Sequence, residues 1–192
     1  PHTHRAAPCP RGAPPCPPAA CTETHPVWPG APGLARAAGF AAGTRYWLFA
    51  DPVTLELGRN EGRLAGIVRD LAADERASLL SSLRSHFASD GIEFVESASG
   101  RWWMALDAPQ SIETSPPDAA FDQPLGAHLP RGADATRWRR WQSEIQMLLF
   151  EHPVNRSREK DGRAPVNYLW IWGGGTLRPS DPAARDSMPP SA

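Results

Sequence analysis

The distribution of proline constrains this chain more than any other feature. Proline fixes φ and has no N–H to donate, so it is kept out of helix interiors and central strands. Of the 192 residues, 22 are Pro. Ten of them fall in residues 1–33, five in 109–130 and four between 178 and 192. Regular structure is therefore expected between these stretches, over 44–178, with Pro52, Pro153 and Pro165 as internal punctuation.

The leader, 1–43, reads differently from the rest. All three Cys (Cys9, Cys16, Cys21) lie in it, and its first 33 residues hold a single acid, Glu23. The spacing of those Cys matches no zinc pattern. No positive segment followed by an apolar stretch marks a signal peptide. A Pro/Ala-rich, nearly acid-free segment buries too little apolar surface to offset its ordering entropy. Disorder is expected there, or a segment translated out of frame. The first residue is Pro1 rather than Met, which suggests a fragment, a processed form or a misassigned reading frame. The tail, 179–192, is also expected to be disordered. The Cys-free remainder fits a reducing, cytoplasmic setting.

Between these ends the pattern alternates strands and helices. Arg45–Asp51 is rich in β-formers and should end at Pro52. Gly62–Arg69 reads as a second strand. Leu79, Leu80, Leu83 and Phe87 recur at helical spacing behind a candidate cap, Asp74, and Gly91 is suited to the left-handed stop. Ile92–Glu96 and Arg101–Asp107 form a hairpin around Ser97–Gly100, with Trp102, Met104 and Leu106 on one face. Residues 108–133 make a proline-punctuated connection of a length that usually wraps a surface or carries function. A helix capped by Asp134 follows, its apolar stripe formed by Trp138, Trp141, Ile145, Leu148 and Leu149, and Pro153 ends it. Asn155–Gly162 is charged, with room for one or two helical turns. Val166–Trp172 is almost wholly apolar, as in a strand buried on both faces, and runs into Gly173–Gly175. The fold class is α+β: a mixed sheet with helices packed on one side.

Charge and motif text exclude several functions. The formal charge is −1, from 20 Lys+Arg against 21 Asp+Glu, which argues against a nucleic-acid partner. No apolar run is long enough to cross a membrane. The glycine run Gly173–Gly175 follows a strand, but neither a Walker loop nor a dinucleotide fingerprint surrounds it. A flexible exit from the strand competes with a backbone nest for an anion. The polar set Asn155, Arg156, Arg158 and Asn167 could gather near it, since Arg suits carboxylate and phosphate. His152 is expected to cap a helix or to lie partly buried. Trp138 and Trp141 are expected to pack in the core. No serine or cysteine nucleophile motif, metal-ligand spacing or cofactor fingerprint is present, so no catalytic residue, metal or cofactor is assigned.

Two segments carry a resemblance. Trp138–Glu159, containing Glu144-Ile-Gln-Met147 and His152-Pro-Val-Asn155, is followed by Leu169-Trp-Ile-Trp-Gly-Gly-Gly175. Upstream stand Tyr46–Leu55, Asp90–Phe94 and Gly100–Trp103. Over about 44–178 this text resembles the RpfE-type regulatory protein family, often labelled cofactor-independent phosphoglycerate mutase. It is also similar to the inserted substrate-binding domain of the archaeal-type mutase. The resemblance implies a regulatory protein, non-catalytic, on a phosphoglycerate-mutase-like fold. Its alternatives are mutase activity or a phospho-acid sensor. The mutase's nucleophilic Ser and its two metals belong to a phosphatase-like domain whose motifs are absent here. In the sensor, Asn155, Arg156, Asn167, Gly173, Gly174 and Gly175 would bind the anion. The partner is then a small phospho-acid or an unknown protein.

Overall fold

The computed structural model describes residues 31–40, 44–58, 62–121 and 123–176. Expectations for 1–30, 41–43 and 177–192, the Cys-rich stretch and the tail among them, lie outside the described residues. The fold is α+β. In chain order the elements are α1 (Ala31–Ala37), β1 (Tyr46–Leu57), β2 (Gly62–Ile67), α2 (Ala73–Phe87), β3 (Ile92–Glu96), β4 (Trp102–Leu106), α3 (Ala135–Phe150), α4 (Pro153–Lys160) and β5 (Tyr168–Thr176).

Strand β1 organises the sheet. Val53 pairs with Ile67 of β2 and with Tyr168 of β5, and Tyr46 pairs with Leu106 of β4 and with Thr176 of β5. A strand has two edges, so β5 runs along one while β4 and then β2 share the other. Strand β3 continues outward from β4. Every ladder is antiparallel, so the expected mixed sheet is corrected. The apolar run in β5 reflects burial on both faces, as expected. Here it arises because α1 and the 112–118 connection cover the second face.

Alternation sorts the side chains of β1. Tyr46, Leu48 and Ala50 point into the larger core with Phe94, Met104, Leu169 and Ile171, under α2 and α3. Trp138, Trp141, Ile145 and Leu149 of α3 are buried there as the stripe requires. Trp47 and Phe49 face the other way, where with Trp103 and Ala105 they pack against Ala31 and Ala35 of α1. Helices therefore lie on both faces rather than on one. Residues 31–37, expected within the disordered leader, are ordered by that contact.

Several local expectations hold and others shift. Gly91, with φ of 68°, ends the 3-10 turn Ala88–Asp90 that follows α2. Ala72, not Asp74, occupies the N-cap of α2, and its N–H donates to Glu75 Oε2 at 2.8 Å. Asp134 precedes α3 but its side chain accepts from Ser111 N (2.8 Å) and Arg137 (3.0 Å) instead of capping. Pro153 opens α4 at its first turn, where a missing N–H costs nothing. Pro52 does not end β1. Its C=O accepts from Val68 N at 2.8 Å, so its absent N–H would face that same edge, beyond the end of β2. The β5 ladder on the opposite edge loses no bond. Among the described residues, no helix is long and apolar enough to cross a membrane.

Candidate functional site

The sequence placed an anion site at Asn155, Arg156, Asn167 and Gly173–Gly175. The geometry does not bring these residues together. Gly175 pairs with Trp47, whereas Asn167 sits beside Leu55, eight residues along β1. That separation is about 26 Å at ~3.3 Å per residue.

All but Arg156 are occupied structurally. Asn155, 2% exposed, donates to Leu149 O and Val166 O, both at 2.7 Å, and accepts from Val166 N at 2.8 Å. It ties the end of α3 to the approach to β5. Asn167 accepts from Leu55 N (2.7 Å) and donates to Leu55 O (2.8 Å), extending the β5 ladder with its side chain. Arg156 is exposed on α4. Gly173–Gly175 are not a strand exit but part of β5. Gly173 has φ of 71°, and a Cβ there would stand 3.0 Å from the Phe49 ring. A Cβ on Gly174 would overlap the Tyr46 phenol, and one on Gly175 would meet Pro32 of α1 at 3.2 Å. The glycines admit aromatic rings and a helix.

The open space lies elsewhere. A cleft of about 680 Å³ is bounded by the middle of β1, the segment after β2, the start of α2, the β3–β4 turn and the 117–118 stretch of the long connection. Three arginines line it: Arg69, Arg76 and Arg101, opposed by Asp51 and Asp118. Asp51 is 8% exposed in the centre of β1. Its Oδ2 accepts from Trp172 Nε1 at 2.7 Å, and its Oδ1 lies 3.7 Å from Arg101 Nε. Burial raises its pKa, against the opposing pull of the Trp172 indole, Arg101 and Arg69.

The arginines differ in what holds them. The Arg101 guanidinium carbon lies over Phe49, 4.1 Å from the ring centroid, with Trp172 at 5.7 Å. Such stacking fixes a guanidinium while leaving its outer N–H groups available. Arg76 donates to Glu96 Oε1 at 2.5 Å and to Leu71 O at 2.6 Å. Arg69 is exposed and makes no hydrogen bond or ion pair among the described residues, although its charge is felt at Asp51. Trp102 also lines the cleft, and its buried indole N–H has no partner among the described residues. The cleft thus offers donors from two loosely engaged arginines and space for a small anion.

Sequence reasoning missed this site because its residues are scattered through six segments. One local signal was available: Asp51 interrupts an apolar strand, and a buried carboxylate needs partners. His152 behaves as expected, its Nδ1 accepting from Val154 N at the start of α4 and its Nε2 lying 3.1 Å from Ser82 Oγ. Burial lowers its pKa. Among the described residues no group of three or more His, Cys, Asp or Glu could hold a metal ion. They do not fit the metals of the resembled enzyme, and no metal-assisted step is assigned to them.

Comparison with known proteins bears on this geometry. No family model matches the chain. Over 115 residues it is 34% identical to the 2,3-bisphosphoglycerate-independent phosphoglycerate mutase of Methanothrix thermoacetophila, covering 57% of this chain and 29% of that one. Over 125 residues it is 28% identical to the enzyme of the same name from Methanosarcina acetivorans, covering 64% and 31%. The solved cofactor-independent phosphoglycerate mutase from Thermoplasma acidophilum matches with a TM-score of 0.57 at 20% identity, over 78% of this chain and 42% of that one. The fold is phosphoglycerate-mutase-like. The chain spans under a third of the length of these two curated relatives.

Proposed function

We propose that this chain is an RpfE-type regulatory protein of the cytoplasm, non-catalytic, whose cleft binds a small phosphorylated acid of the phosphoglycerate class. One observation carries the reading: Arg69 and Arg101 face a 680 Å³ cleft without strong partners of their own. An arginine fork recognises phosphate or carboxylate through paired N–H groups. Arg101 is pre-oriented by Phe49 and Trp172, so little side-chain entropy is lost on binding. The similarity to mutases that act on phosphoglycerates supports the choice of acid.

The test is calorimetric titration of the full 192-residue chain with 3-phosphoglycerate at low salt. Saturable binding is expected, weakening as salt rises. Arg101→Ala should lower affinity about 10- to 100-fold, the worth of one charge-assisted hydrogen bond. At 100 times the dissociation constant the ligand should stabilise the chain by about 2.7 kcal/mol, a midpoint rise of roughly 5–15 °C. No heat and no midpoint rise at millimolar ligand would sink the proposal. A second reading, mutase turnover, is favoured by the relatives' activity. It predicts conversion of 3- to 2-phosphoglycerate with Mn²⁺, measured in the same samples.

A further inference from the structure

Beside the 68–72 segment, and not lining the cleft, lies a heavily bonded charge cluster. Arg158 of α4 is 0% exposed. Its Nε donates to Ala164 O at 2.7 Å, its Nη1 to Glu75 Oε2 at 2.9 Å and its Nη2 to Asp70 Oδ1 at 2.7 Å. Arg163 adds bonds to Glu75 Oε2 (2.9 Å) and to the Asp70 carbonyl (3.2 Å). The Arg158 hydrogen bond holds the Asp70 carboxyl below its ordinary pKa. Glu75 is also held low: burial pushes upward, but the Ala72 N–H, Arg163 and Arg158 outweigh it.

A buried guanidinium is a poor device for stability alone, because desolvation cancels much of the attraction. Its value lies in fixing geometry. The segment it fixes carries Arg69. Around that residue, Val68 N donates to Pro52 O, Arg163 holds Asp70 O, Arg76 holds Leu71 O and Glu75 holds Ala72 N. Arg69 has an exposed side chain on a backbone pinned on both sides. Leu71 and Arg76, which share those bonds, line the same cleft.

We propose that the Arg158–Asp70–Glu75–Arg163 cluster is a positioning clamp that holds Arg69 and Arg76 at the anion cleft. This rests on the reading of the cleft as a phospho-acid site. Asp70 is the residue to perturb, because its side chain is 62% exposed and its loss leaves Arg158 paired with Glu75. Arg158→Ala would empty the space of a wholly buried side chain, and the cavity would confound the answer.

The experiment compares the full chain with Asp70→Ala, Asp70→Asn and Arg101→Ala. Three quantities are read: affinity for 3-phosphoglycerate, unfolding midpoint, and amide hydrogen exchange over 68–72. Asp70→Ala is expected to lower affinity about 3- to 10-fold, to speed exchange in 68–72 and to leave the midpoint within a few degrees. Asp70→Asn keeps an acceptor for Arg158 Nη2 and should restore most of the affinity. A merely structural Asp70 would move the midpoint and leave affinity alone. Wild-type binding with Asp70→Ala within twofold of it overturns the clamp while sparing the cleft. Failure of the wild type itself to bind overturns the cleft reading, and the clamp's role in it falls too.

Discussion

The two ends of β1 face different tasks with the same neighbour. At one end, Tyr46–Phe49 lie between β4 and β5, and on one face Phe49 is tilted against Trp172 at 4.6 Å and Trp103 at 4.5 Å. Three successive glycines in β5 remove every side chain that would hold those rings off. At the other end the β1–β5 pairing stops at Val53 and Tyr168, and side chains extend it: Asn167 on Leu55 and Thr54 Oγ1 on Pro165 O at 2.6 Å. The apolar end tolerates no space, and the polar end opens onto the cleft. The buried Asp51 carboxylate and Arg101 over the Phe49 ring stand at the boundary between them.

The largest test of that contrast is at Gly174. In Gly174→Val the new side chain must occupy the place of the Tyr46 phenol, so β1 or β5 has to shift. Overpacking of this kind costs about 3 kcal/mol, and a fall of that size in urea unfolding is expected. A loss below about 1 kcal/mol would mean the aromatic end is looser than its contacts imply. Next comes Asn167→Ala, which unpairs the N–H and C=O of Leu55 at the polar end. Its expected cost is about 2 kcal/mol, with 3-phosphoglycerate affinity unchanged. Weakened affinity instead would return Asn167 to the binding site.

Much of the fold could be read locally, and the limits are physical. The hairpin β3–β4 and the α2 and α3 stripes matched because period and turn chemistry are written within a few residues. Helix α1 was missed because Ala31–Ala37 is only seven residues long, too short to hold itself, and is ordered by Trp47, Phe49 and Trp103, which lie later in the chain. Gly173–Gly175 read as a loop because glycine's local preference points there, while the reason for it is the bulk of Tyr46 and Phe49 across the ladder. The site was least legible. Arg69, Arg76 and Arg101 have no common spacing, and only the path of the backbone brings them to one cleft. Asn155, Arg158 and Asn167 were noticed for the right polarity and are committed to internal bonds.

The smallest effect, and the one that divides the two ends most finely, is at Asp51. Its pKa is raised in the fold, with burial the main cause. The folded chain therefore holds that proton more tightly than the unfolded chain. Stability from this group is greatest at acid pH and declines as pH rises past the unfolded carboxyl value, levelling off above the folded one. Asp51→Asn removes that decline while keeping an oxygen for the Trp172 indole. At pH 7 the variant should be as stable as the wild type or slightly more so, within about 1 kcal/mol, and the advantage should vanish at acid pH. Unfolding midpoints measured across pH 3–8 would decide it. A clear loss of stability at pH 7 would mean that the bonds from Trp172 and Arg101 outweigh burial. Asp51 would then belong to the structural end of β1 rather than to its cleft.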